Sequence, residues 1–251
     1  MSANLPDPRP ACVMLYLAGF EASSRELEWE DGQLWVRECR LGSGDLHRIP
    51  WQAHDAPTEA AWRRLRGAAD AVDFWQWPST PTPPGEDCRW RIALQWGAQR
   101  RTVAGALDLH PALRAVVEAI LGLRTQPLAD YPQAFRLRCD WPGGEEHFGW
   151  DGRHLAFASF EPRPRILEGQ RVPLSAWKEI APLLAAGQPV LNPVRAEGES
   201  FLIEPLDAEV PCPAREVPAP LRHELRWRLK GLLPADCRLE GIPGTGLAVR
   251  H

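Results

Sequence analysis

A chain of 251 residues, 44% hydrophobic and 25% charged, has the composition of an ordinary globular protein. It holds apolar material for the cores of two domains of roughly 100 to 130 residues, which excludes disorder over most of its length. A net charge of −4 and no run of about five or six Lys and Arg remove the electrostatic footprint of direct nucleic-acid contact. Only Lys178 and Lys230 are lysines, and this arginine bias, with abundant Ala, Pro and Gly, reads as the codon usage of a GC-rich bacterial genome.

The first element is the apolar run ACVMLYLAGF from Ala11, read as a strand. Asp7 and three prolines precede it where a signal peptide carries positive charge, and it is far shorter than the roughly 18 to 20 apolar residues of a membrane span. The expectation is a cytoplasmic protein without a membrane partner. Its six cysteines, at 12, 39, 88, 139, 212 and 237, form no CxxC pair and are expected reduced and mostly buried.

Next comes LEWEDGQLWV, residues 27–36, a hairpin with Asp31-Gly32 at the corner, Trp29 facing Leu34 and Leu27 facing Val36. PTEAAWRRLRGAADAV from Pro57 places Trp62, Leu65 and Ala69 at helical spacing. Trp75 and Trp77 then alternate with polar residues before a proline-rich loop; they are the candidate partner-binding residues, weighed against a simpler place in the core. RWRIALQWG from Arg89 reads as a strand with a partner in RRTVAGALD. HPALRAVVEAILGL carries the cleanest helical stripe: Leu113, Val116, Val117, Ile120 and Leu121.

TQPLADYPQ, residues 125–133, is the boundary between a first unit (1–128) and a second, degenerate unit (134–251). FGWDGRHLAF, 121 positions after the first hairpin, repeats it with Asp151-Gly152 at the corner, which makes Phe148 face Leu155 and leaves Trp150 and Phe157 on the same side. PLSAWKEIAPLLAAG from Pro173 repeats the helix, with Trp177, Ile180 and Leu184. SFLIEPL is a strand, and the proline-punctuated EVPCPAREVPAPL is expected to supply no interior strand hydrogen bonds. APLRHELRWRLKGLL closes the series with Leu221, Leu225, Leu229, Leu232 and Leu233. The offsets between matched features fall from 121 to 115 to 109, as loop deletions in a second copy of a tandem duplication would give. The fold expected is α+β: two loosely similar units, each an antiparallel sheet of three to five strands with helices packed on one face.

No constellation for catalysis or a cofactor emerges. GIPGTGLAVR has glycines but no room for a following helix, His223-Glu224 lacks a second histidine because Trp227 stands there, and no GxSxG exists. His147 and His154 share one face of the second hairpin and, with Cys139 or Glu145, suggest half a metal site against a solvent-facing alternative. The leading expectation is a non-catalytic protein that binds another protein as an immunity, inhibitor or adaptor component. Alternatives are a small enzyme or ligand-binding protein with its site in the cleft between the halves, and an accessory subunit of a nucleic-acid-handling complex.

Overall fold

The computed structural model describes residues 9–20, 23–39, 46, 49–79, 88–106, 108–128, 132–160, 165–190, 199–206 and 213–234. Cys212, Cys237 and GIPGTGLAVR lie outside the described residues. The chain divides into two compact units, Met1–Ala129 and Asp130–His251, and its architecture is α+β.

In the first unit the strands are β1 (Cys12–Phe20), β2 (Ser23–Glu30), β3 (Gln33–Cys39), β4 (Gln52–His54), β5 (Trp90–Trp96) and β6 (Gln99–Gly105). They form one antiparallel sheet in the order β4-β3-β2-β1-β5-β6. Helix α1 (Glu59–Ala71) joins β4 to β5, and α2 (Arg114–Leu121) follows β6. The register aligns Val13 with Trp29 and Leu94, Leu15 with Leu27 and Ile92, and Leu27 with Val36. Alternation thus gathers the large apolar residues on one face, where they share a core with Trp62, Leu65 and Ala69 of α1 and Val116, Val117 and Ile120 of α2. Thr58 caps α1, its side chain accepting from the Ala61 amide at 3.3 Å.

The second unit repeats the plan. Strands β7 (Phe135–Trp141), β8 (Gly144–Trp150), β9 (His154–Ser159), β10 (Arg165–Arg171), β11 (Gln188–Pro189), β12 (Ser200–Pro205) and β13 (Arg215–Glu216) run in the order β10-β9-β8-β7-β12-β13-β11. Short helices α3 (Leu174–Trp177) and α4 (Ala181–Ala185) stand where α1 stands, and α5 (Ala219–Gly231) stands where α2 does. Apart from the added β11, the strand order matches the first sheet place for place. The sheets have six and seven strands, more than the three to five expected, because short strands that carry little periodicity also pair.

The same tryptophan arrangement anchors each unit. Trp29 donates its indole N–H to the Pro10 carbonyl at 3.0 Å and packs against Trp62 with ring centroids 5.0 Å apart. Trp150 donates to the Pro132 carbonyl at 3.2 Å and packs against Trp177 at 4.4 Å. Among the described residues the buried indole N–H groups of Trp62 and of Trp177 both have no hydrogen-bond partner.

Three expectations are corrected. In the first hairpin Asp31 and Gly32 do form the corner, both at positive φ (52° and 77°), and the register is as read. In the second, the Asp151 amide donates to the His154 carbonyl at 3.2 Å, so the corner is Gly152-Arg153, with Gly152 at φ 94°. The Asp151 carboxylate fixes this turn by accepting from the Arg153 and His154 amides at 2.8 and 2.6 Å. Phe148 therefore faces Phe157, not Leu155, and Trp150 faces Leu155; a slip of two residues leaves every side chain on its face. The helix from Pro173 is broken into α3 and α4, because Pro182 has no amide N–H to donate back into α3 and instead sits in the first turn of α4. Arg215 and Glu216 pair with both β12 and β11, making β13 an interior strand. Residues 214–217 are free of proline, and that window is enough to supply hydrogen bonds on both edges.

Candidate protein-binding surface

Helix α5 has two chemically distinct inner groups. Leu225, Leu229 and Leu233 enter the second core, and Arg226 and Lys230, one turn apart, are buried beside them. Both cations reach Glu146 of β8, whose position two residues before Phe148 sends its carboxylate to the core side. Arg226 forks onto it at 2.5 and 2.7 Å and lies 4.3 Å over the Trp141 ring, and Lys230 joins at Oε1. Cys139 faces Glu146 across the ladder, and burial, reinforced by that carboxylate, pushes its thiol well above the usual range, so it stays protonated.

With Arg226 and Lys230 tied inward, Trp227 projects outward and is 61% exposed. Beside it lies a groove of about 350 Å³ lined by Ser175, Ala176, Ile180 and Leu232. Arg228 closes its rim by pairing with Glu224 at 2.9 Å and with Glu179.

The outer face of the second sheet carries the other exposed apolar groups. Residues 147, 149, 156, 158 and 166 alternate with the core positions, so His147, Gly149, Ala156, Ala158 and Ile166 face away from the core. Ile166, cross-strand from Ala158, is 81% exposed, and Phe160, whose ring meets His147 at 5.1 Å, is 46% exposed. Glu145 accepts from His147 at 2.7 Å and faces Arg138 at 3.4 Å, and Arg138 also pairs with Asp140 at 2.8 Å.

The matching face of the first sheet is covered. By strand and register, Glu26 and Arg37 take the places of His147 and Ala158, and Trp51, next to β4, takes the place of Ile166. Trp51 is only 6% exposed; Arg37 bonds Glu26 at 2.7 Å and lies 4.3 Å over the Trp51 ring. Trp35, Leu46, Trp51 and Ala53 are all buried yet belong to neither core. Leu46 and Trp51 come from the connection 40–51, much longer than its counterpart 160–164.

The candidate residues from the sequence fall as follows. Trp75 is buried in the first core, donates to Asp70 at 2.7 Å, receives the Arg66 guanidinium 4.8 Å from its ring, and its carbonyl accepts from Arg101. Trp77 is partly buried, donates to the Val72 carbonyl at 2.9 Å and meets His110 edge-on. His147 and His154 do share the outer face but are each held by a separate carboxylate, Glu145 and Asp151. Cys139 points to the opposite face and cannot join them. Among the described residues no group of three or more His, Cys, Asp and Glu is placed to hold a metal ion. The residues missed by sequence reading, Glu146, Arg226, Lys230, Phe160, Ile166 and Trp227, had one signal: the alternation that placed Phe148 inward also places Glu146 inward.

No protein family matches the chain, and no curated protein matches it. Among solved structures it is similar to the DNA polymerase III subunit beta from Pseudomonas aeruginosa, at 14% identity over 80% of this chain and 53% of that one, with a TM-score of 0.14. It is also similar to the DNA polymerase sliding clamp from Pseudomonas aeruginosa with ligand, at 14% identity over 94% of this chain and 61% of that one, TM-score 0.14. The chain spans about half to three fifths of the length of these proteins, and at such TM-scores the likeness carries no argument. Among the described residues no helix is long and apolar enough to cross a membrane.

Proposed function

We propose that the chain acts by binding another protein through its second unit, as an immunity, inhibitor or adaptor component of a bacterial cytoplasm. One observation carries this reading. Among the described residues the large apolar side chains exposed to solvent are Phe160, Ile166 and Trp227, and all three belong to the second unit. Exposed large apolar and aromatic residues are the usual anchors of protein interfaces.

We further propose that the units descend from one duplicated unit. The matched strand order and the paired Trp29–Trp62 and Trp150–Trp177 contacts, each with its indole bond to a proline carbonyl, support common descent more than chance. Duplication leaves one copy free to expose a surface that the other keeps covered. The test is tagging the protein in its native host and comparing what co-purifies with wild type, Ile166→Ser, Phe160→Ser and Trp227→Ser. A stoichiometric partner retained by wild type and lost from at least one variant is expected; a partner-free wild type, or retention by all three, overturns the reading.

A further inference from the structure

Past α2, Leu123 is still fully buried and Arg124 reaches Glu38 of β3 at 2.6 Å, which brings the chain alongside β4. Residues 125–128 then run antiparallel to β4, with Pro127 opposite His54. The Asp55 amide donates to the Gln126 carbonyl at 3.0 Å and the Leu128 amide to the Ala53 carbonyl at 2.8 Å, bonds that flank Pro127 and ask no N–H of it. Two side chains close the clip. The Thr125 hydroxyl donates to the Asp55 carbonyl at 2.6 Å, and His54 Nδ1 donates to the Thr125 carbonyl at 2.7 Å. Gln126 and Pro127 are exposed and Thr125 and Leu128 only half-buried, so this strap is held by a handful of polar bonds and can open without the core of its unit.

We infer that the strap is an acid-released latch: a proton on His54 Nε2 opens residues 125–128 and hands them to the connection between the two units, whose division falls directly after, at Ala129 and Asp130. Extended, those residues add up to roughly 13 Å of chain. His54 is 1% exposed, and its Nε2 has no hydrogen-bond partner among the described residues. The neutral ring fits, because its single N–H is the one given to Thr125. The second N–H of an imidazolium finds no acceptor there, and its charge is cut off from water. Of the charged groups around the ring, Arg124 opposes the proton and Asp55 favours it, and Arg124 is held by Glu38, which Arg25 shares. From β3 the uncharged Leu34 and Gln33 meet His54, the Gln33 amide donating to the His54 carbonyl at 2.6 Å. Burial dominates and holds the pKa with the strap closed below the ordinary 6.5, whereas opening returns the ring to water and to that value. The closed strap is therefore favoured in full above pH 6.5, and its advantage falls by up to about tenfold per pH unit below that, until the closed-state pKa is passed. This latch goes beyond the protein-binding reading and does not depend on it.

The test is hydrogen exchange on the full-length protein, read by NMR at about one pH unit above and one below 6.5 and corrected for the intrinsic exchange rate. At both values the Asp55 and Leu128 amides should be protected less than the Leu65 amide in α1, and at the lower value their protection should drop by about threefold or more. His54→Gln places at this site the residue type that faces Leu155 in the second unit, and it should remove the pH dependence of those two amides. In the wild type alone, which keeps the test independent of how that variant folds, the His54 ring protons should titrate below pH 6.5, where the loss of protection levels off. Protection of Asp55 and Leu128 equal to that of Leu65 would mean that the strap opens only with its unit, and overturns the latch. Protection that ignores pH, an equal loss in His54→Gln, or a ring that titrates at or above pH 6.5 overturns it as well.

Discussion

The two sheets share their strand order and their tryptophan pairs, and part company at two places: the outer face and one inner corner. At that corner the first unit sets Arg25 opposite Glu38, with Arg124 closing on the same carboxylate at 2.6 Å, and both cations reach water. The second unit sets Glu146 opposite Ser159 and encloses it with Arg226 and Lys230, all three nearly dry. One plan, a carboxylate between two cations near the last helix, thus exists in a wet and a dry form. The wet form is tolerant of loss because water can replace a partner. The dry form is not, and in exchange it fixes the rotation of α5 and so the direction of Trp227.

The sharpest break of this comparison is Glu146→Gln, which leaves two buried cations without a counter-charge and should cost the second unit about 3–5 kcal/mol. Glu38→Gln should cost no more than about 1 kcal/mol, because its partners are solvated. Urea unfolding of both variants, with the transitions of the two units followed separately, measures the difference; equal losses would mean the corners are energetically alike.

The outer faces give the next contrast. Trp51→Ala empties a buried site and should destabilise the first unit by roughly 3 kcal/mol, whereas Ile166→Ala, at the matching place, should stay within about 0.5 kcal/mol. A large loss from Ile166→Ala in thermal unfolding would mean that this face is covered in solution.

A smaller effect tests the tryptophan pairs. Trp29→Phe and Trp150→Phe each remove a hydrogen bond to a proline carbonyl as well as ring area, so each should cost about 1 kcal/mol more than Trp62→Phe and Trp177→Phe, whose indole N–H groups have no partner to lose. The pattern should be the same in both units, and a difference between them in denaturant midpoints would separate their cores.

The smallest effect is a pH dependence confined to the first unit. His54 is buried, donating through Nδ1 to the Thr125 carbonyl at 2.7 Å, and burial holds its pKa below the usual 6.5, a direction that Arg124 reinforces and Asp55 and the Thr125 bond oppose. Neutral His54 is therefore the folded form: its contribution is complete above pH 6.5 and is lost as pH falls through the lower folded-state value. Gln170 faces Leu155 just as His54 faces Leu34, so His54→Gln copies the second unit. That variant should flatten the fall in first-unit stability below pH 6.5 in pH-dependent urea midpoints.

Much of the fold was legible because its signals are local. Leu27, Trp29, Leu34 and Val36 alternate around Asp31-Gly32, and both central residues of that turn need positive φ, so the first register followed directly. The second register did not, because Asp151 is the residue before the turn, a role that depends on its carboxylate bonding two amides. Arg215 and Glu216 were hidden by their proline neighbours, since a two-residue strand has no periodicity to read. The binding surface was still less legible: Trp75 and Trp77 draw the eye in the sequence, yet the first is core and the second is mostly engaged within its own unit.

By itself the sequence determined the class of the protein, the faces of the long strands, the stripes of α1 and α2 and the tryptophans that anchor each unit. Alternation with period two and helical spacing act over a few residues and survive any arrangement of the elements. Only the tertiary structure decided that Glu146 meets Arg226, 80 positions away, and that Trp51 is covered while Ile166 is open. Those outcomes depend on which elements the sheet and helix bring together and on the length of one connection, and no local pattern of residues encodes either.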